Sequence, residues 1–170
     1  MIPPFERRAG TFVISTDPAK LDRDAIHAFL ASEAYWCSGI PRPVVERMID
    51  HSLCFGVYDP AGSQAGFARV VTDFGSFGYI ADVFVLAPWR GQGLSKQLMA
   101  AVQAHPSLQG FRRWLLATRE VDEQIAAAAG DFGGDFALRH RRVEVREGVV
   151  QATGHVAKTA VADEGLRQLR

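Results

Sequence analysis

The residues best suited to chemistry lie in one stretch: Asp82-Val83-Phe84-Val85-Leu86-Ala87-Pro88-Trp89-Arg90-Gly91-Gln92-Gly93-Leu94-Ser95-Lys96. An apolar, β-prone run passes into a loop with two glycines, and the loop opens a helix whose apolar positions include Leu98, Met99 and Val102. The first turn of a helix leaves backbone N–H groups without intrahelical partners and carries a partial positive charge. Glycines in front of it let the backbone close on an anion. Arg90 and Lys96 add charge, so the stretch reads as a phosphate or pyrophosphate site. The competing reading is a tight strand-to-helix turn that merely exposes Arg90 and Gln92, although such a turn needs no basic residue before it. A P-loop is excluded, because no glycine stands at the required distance before Lys96 and Ser95 precedes it. A dinucleotide fingerprint fails at its third glycine, where Lys96 stands. The DFG triplets at Asp73 and Asp131 are turns, since no HRD catalytic loop accompanies them in so short a chain.

Elements that would position this stretch follow from hydrophobic pattern and breakers. Thr11–Ser15 is a short β-rich strand. Asp17-Pro18 signals a helix start, and Leu21, Ala25, Ala28 and Phe29 carry that helix to about Ser32. Tyr35 to Pro41 is a loop, and a second helix covers Pro43 to His51. Leu53–Tyr58, Ala65–Thr72 and Tyr79–Leu86 are the second to fourth strands; their short connections make them an antiparallel meander. The helix from Ser95 ends near His105-Pro106, and Phe111–Thr118 is a fifth strand. Strand, helix and strand at this spacing allow a right-handed crossover, so the fourth and fifth strands pair in parallel. Beyond Glu120 the expectations are a helix over Val121–Ala129, a turn over Gly130–Phe136, strands over Arg142–Val150 and Val156–Val161 around Gly154, and a fraying tail from Asp163. The fold class is α/β, or α+β, with a mixed sheet.

With 170 residues, 48% hydrophobic and 22% charged, the chain suits one globular domain with a sizeable core. Nineteen Lys and Arg balance nineteen Asp and Glu. That balance lacks the basic field of a nucleic-acid binder. No run is long and apolar enough to span a bilayer. Met1–Gly10 has no apolar signal region, and Cys37 and Cys54 are too few for a disulfide scaffold, so the expected setting is the cytoplasm. The five histidines show no metal-ligand spacing.

Arg90-x-x-Gly93-x-Ser95, with Val85 and Pro88 just upstream, resembles the coenzyme A loop of the GCN5-related N-acetyltransferases, the GNAT family. Ser95 stands where that family places Gly or Ala. The order of elements over residues 11–120 is also similar to this family, and 121–170 is the less family-like remainder of one domain. The resemblance implies antiparallel strands two to four and a splayed parallel pair of strands four and five, with acetyl-CoA in the gap and no metal. Main-chain groups of Val83 and Val85 would hold the pantetheine arm, and the Val85 N–H would serve as oxyanion donor. Arg90, Gly91, Gln92, Gly93, Leu94, Ser95 and Lys96 would hold the pyrophosphate.

The implied reaction is direct attack of a neutral primary amine, on a small molecule or peptide, at the thioester carbonyl. Asp82 is the candidate base, acting through water; its alternative is an ion pair with Arg69 across the hairpin. Tyr35 and Trp36 border the expected acceptor site or pack as ordinary hydrophobes. Trp89 and Trp114 are assigned to packing, and Arg139-His140-Arg141-Arg142 to a solvated face. Many family members carry a Tyr general acid after the fifth strand, yet no tyrosine follows Tyr79 here. A thiol with the acidity of cysteine can leave without it. Two functions therefore compete: an acetyltransferase, or an acyl-CoA-binding sensor or interaction module with weak or no chemistry. The acceptor is not legible, neither nucleic acid nor membrane is an expected partner, and a homodimer is left open.

Overall fold

The computed structural model describes residues 2–118, 135–146 and 149–158. In chain order the elements are β1 (Glu6–Ala9), β2 (Phe12–Ser15), α1 (Arg23–Ser32), α2 (Arg42–Asp50), β3 (Leu53–Tyr58), β4 (Gln64–Thr72), β5 (Phe77–Val85), α3 (Leu94–Ala104), β6 (Arg113–Thr118), β7 (Asp135–Arg146) and β8 (Val149–Lys158). They make one mixed sheet in the order β1-β2-β3-β4-β5-β6-β7-β8. The meander of β3, β4 and β5 is antiparallel, and β5 pairs in parallel with β6 across the α3 crossover, as the sequence implies.

Two apolar clusters hold helices to opposite faces of this sheet. Ile14, Phe55, Val57, Val70 and Ile80 pack with Leu94, Leu98, Met99 and Val102 of α3. Ile26, Phe29 and Leu30 of α1 and Val45 and Ile49 of α2 pack with Cys54, Phe67 and Phe84 on the other face. Alternation along β3 and β4 sends successive side chains to the two clusters. Among the described residues no helix is long and apolar enough to cross a membrane.

Several boundaries differ from the sequence expectation. The chain opens with a hairpin rather than a lone strand: Ala9 pairs with Phe12 across Gly10, whose φ of +64° suits the tight turn. The missed strand Glu-Arg-Arg-Ala lies at the sheet edge, where charged side chains are compatible with pairing and no apolar alternation betrays it. Pro18–Lys20 forms only a 3₁₀ turn; α1 starts after Asp22, whose carboxylate accepts from the Ala25 N–H at 2.9 Å. The expected strands around Gly154 are corrected to β7 and β8, and Gly154 sits inside β8 opposite Arg141. The turn expected to end at Phe136 gives way to β7, which begins at Asp135. The helix over 121–129 and the tail lie outside the described residues.

Candidate active site

The pairing of β5 with β6 runs from Phe77–Arg113 to Ile80–Leu116 and stops, while β5 continues to Val85. The cause is local. Arg69 faces Ala81 and Phe67 faces Phe84, so the one residue between them on β4, Ala68, faces two on β5, Asp82 and Val83. This is a β-bulge, which bends its strand and increases its twist. Asp82 takes φ +52°, a left-handed conformation that Asp tolerates better than most side chains. Beyond the bulge β5 leaves β6, and a cleft opens between them.

Val85 faces that cleft. It stands opposite Gly66, and the neighbouring bond runs from the Leu86 N–H to the Ala65 carbonyl at 2.9 Å. Gly66–Val85 is therefore a non-hydrogen-bonded pair of the ladder, and the Val85 N–H and C=O point away from β4. Gly66 lets the strands approach: a Cβ there would lie 2.9 Å from the Phe84 carbonyl oxygen.

At the end of β5, Ala87–Trp89 form a 3₁₀ turn, and Trp89 meets Phe12 edge-to-face at 5.4 Å, which anchors the following loop. Gly91 and Gly93 have φ of +78° and +72°, and nothing lies within 4 Å of where a Cβ would stand on either. Gly93 is the N-cap of α3, and no side chain caps that helix. Among the described residues its first-turn N–H groups have no side-chain cap, and Lys96 is exposed beside them. Such a terminus fits a diphosphate. The Arg90 side chain turns elsewhere: Nε donates to the Val85 carbonyl at 2.9 Å and Nη2 to Glu33 Oε2 at 3.2 Å. It satisfies the outward-pointing carbonyl and ties the loop to the end of α1.

On the α1–α2 side, Asp82 is nearly covered, its side chain 6% exposed. Oδ2 accepts from Arg69 Nε at 2.7 Å, and Oδ1 accepts from Trp36 Nε1 at 3.0 Å. Arg69 Nη1 donates in turn to Ser52 Oγ at 3.0 Å. The ion pair weighed from the sequence is thus present, one register step off because of the bulge. Trp36 and Tyr35 are exposed and meet edge-to-face at 5.1 Å. Below them Phe29 stacks on Phe84 at 3.9 Å. Cys54, opposite Arg69 in register, is a buried free thiol pushed up to about 12 by desolvation, so it is no nucleophile. Trp114 is buried against Phe111. The bond from Trp36 to Asp82, the brace from Ser52 and the contact of Glu33 with Arg90 carried no sequence signal, since each joins segments far apart in the chain. Among the described residues, no three His, Cys, Asp or Glu side chains gather as a metal site.

A splayed parallel pair leading to an uncapped, glycine-fronted helix start defines an α/β protein suited to a ligand that carries phosphates at one end and reacts at the other. Residues 41–129 match the model of the acetyltransferase (GNAT) family, and the chain belongs to that family. A Gibberella zeae protein named as an acetyltransferase is 32% identical over 132 residues, 65% of this chain and 73% of its own. A crystal structure from Xanthomonas campestris, described as an acetyltransferase of the same family, is 48% identical with a TM-score of 0.66, covering 68% of this chain and 81% of its own. The fold is shared with AAC(6')-Iy, solved with a bisubstrate analogue of coenzyme A, at 20% identity and a TM-score of 0.53 over 81% of this chain and 97% of that one.

Proposed function

We propose that this transferase moves an acetyl group from acetyl-CoA to a primary amine of a small molecule or peptide, in the cytoplasm, by direct attack. The observation that carries the reading is the cleft itself: the outward Val85 N–H at one end and the uncapped N-terminus of α3 at the other. The amides from Gly91 to Lys96 receive the diphosphate. The bound thioester supplies an electrophilic carbonyl carbon. The Val85 N–H donates to the carbonyl oxygen as negative charge develops there. The amine nitrogen forms the new C–N bond, the C–S bond breaks, and the electron pair leaves with the thiolate. The nitrogen proton passes to Asp82, and the thiolate is protonated from solvent.

Thiol release with acetyl-CoA and a panel of primary amines tests this; at least one amine is expected to accelerate release well above hydrolysis. Absence of tyrosine after Tyr79 favours a second reading, an acyl-CoA-binding module. Cofactor binding without turnover of any amine would establish that reading instead.

A further inference from the structure

The way to Asp82 is closed by a side chain. Trp36 lies in the loop between α1 and α2, 44% exposed, yet its indole N–H is committed to Asp82 Oδ1 at 3.0 Å. The other carboxylate oxygen is held from behind by Arg69, itself braced on Ser52. Asp82 is fixed by Arg69 and the bulge, so Trp36 is the partner free to yield: it comes from a loop, and its ring is half in solvent. With that carboxylate only 6% exposed, a donor seeking Asp82 Oδ1 meets the indole that covers it and must displace the ring to reach the oxygen.

We propose that Trp36 is the gate of the acceptor site, and that the acceptor is a primary amine on an apolar, uncharged body whose nitrogen replaces the indole N–H on Asp82 Oδ1. The juxtaposition of one carboxylate with two exposed rings carries the chemistry. An ammonium is drawn both to the carboxylate and to the ring faces of Tyr35 and Trp36. The apolar body then lies on those rings, which continue the Phe29–Phe84 stack outward. Among the described residues at this wall no cation is left for an acceptor's phosphate: Arg69 is committed to Asp82 and Ser52, and Arg90 to Glu33 and Val85. Trp36 is thus a specificity-determining residue that acts by yielding.

The inference rests on the amine-transfer reading, and two measurements separate their fates. In the first, coenzyme A-loaded wild-type protein is titrated with phenethylamine, hexylamine and ethanolamine phosphate while the Trp36 indole N–H resonance, assigned with Trp36→Phe, is followed. The two apolar amines are expected to move it and the phosphorylated amine to leave it in place. In the second, amine KM is compared in W36F and W36A. W36F keeps the ring but removes the competing hydrogen bond, so KM falls about fivefold, the worth of one net hydrogen bond. W36A removes the ring as well, so KM rises; a merely structural role would raise KM in both. An unmoved resonance with every amine, or KM changes of the same sign, overturns the gate. Thiol release with an unmoved resonance leaves the transfer reading standing and the gate refuted. A moved resonance without thiol release from any amine refutes transfer and leaves the gate as a binding device.

Discussion

Asp82 shows how one residue joins fold and site. Its left-handed backbone, its bulge and its pairing with Arg69 each support the others, and β5 turns away from β6 at that point. Both side chains of the pair are largely buried, at 12% and 6% exposure. Removing one partner of a buried pair leaves an uncompensated charge, which costs about 3–5 kcal/mol. Arg69→Met is therefore expected to lower unfolding free energy in urea by about 3 kcal/mol. Arg69→Met/Asp82→Asn should recover part of that loss; an additive double mutant would contradict the coupling. Gly93→Ala tests the other end of the cleft. A side chain at φ +72° costs about 1–2 kcal/mol and places a methyl beside the first-turn amides. Acetyl-CoA affinity is expected to fall about tenfold by calorimetry, and unchanged affinity would show that this terminus does not hold the diphosphate.

Elements explain which parts of the fold could be read from sequence. The meander and the β5–α3–β6 crossover were legible because their apolar runs are bounded by Gly, Pro and Asp turns. In the β4–β5 turn, Asp73 accepts from the Gly75, Ser76 and Phe77 N–H groups, which explains why a DFG triplet there is a turn. The bulge was not legible, since a one-residue register slip leaves no mark on composition. Nor was β1, whose charged sequence lacks alternation, or the first part of β7; only its end, from Arg142, falls within an expected strand. At the site, the glycine loop was found by residue type, whereas the Arg90–Glu33 and Trp36–Asp82 bonds depend on tertiary approach. Element packing also makes predictions. Gly78 pairs with Trp114 on β6, and a Cβ there would stand 2.4 Å from the indole ring. Gly78→Ala is expected to destabilise by about 1–3 kcal/mol and to impair acetyl-CoA binding, because it pushes apart the strands that frame the cleft. His105 caps the turn after α3, accepting from the Ser107 N–H at 3.2 Å, and its ring is buried against Phe5 and Phe55. Desolvation lowers its pKa below the ordinary 6.5, so the unfolded chain binds the proton more readily. Its contribution to stability is complete above 6.5 and is lost as pH falls below that value. Urea midpoints across this range should slope accordingly, and His105→Phe should flatten the slope.

On the scale of the whole molecule, the sheet divides the work between its two faces. The α3 side carries the glycine loop, the α1–α2 side carries Tyr35, Trp36 and the cover over Asp82, and the cleft between β5 and β6 is where the two sides meet. Arg90 spans them, tying the glycine loop to Glu33 at the end of α1. A ligand that fills the cleft engages only the folded chain, so acetyl-CoA at a hundredfold excess over Kd should stabilise the protein by about 2.7 kcal/mol. The most direct measurement is a crystal structure of the protein with acetyl-CoA. The diphosphate is expected on the backbone amides between Gly91 and Lys96, with the thioester oxygen on the Val85 N–H. A cofactor bound elsewhere, or none bound at saturation with that helix terminus empty, would contradict the account.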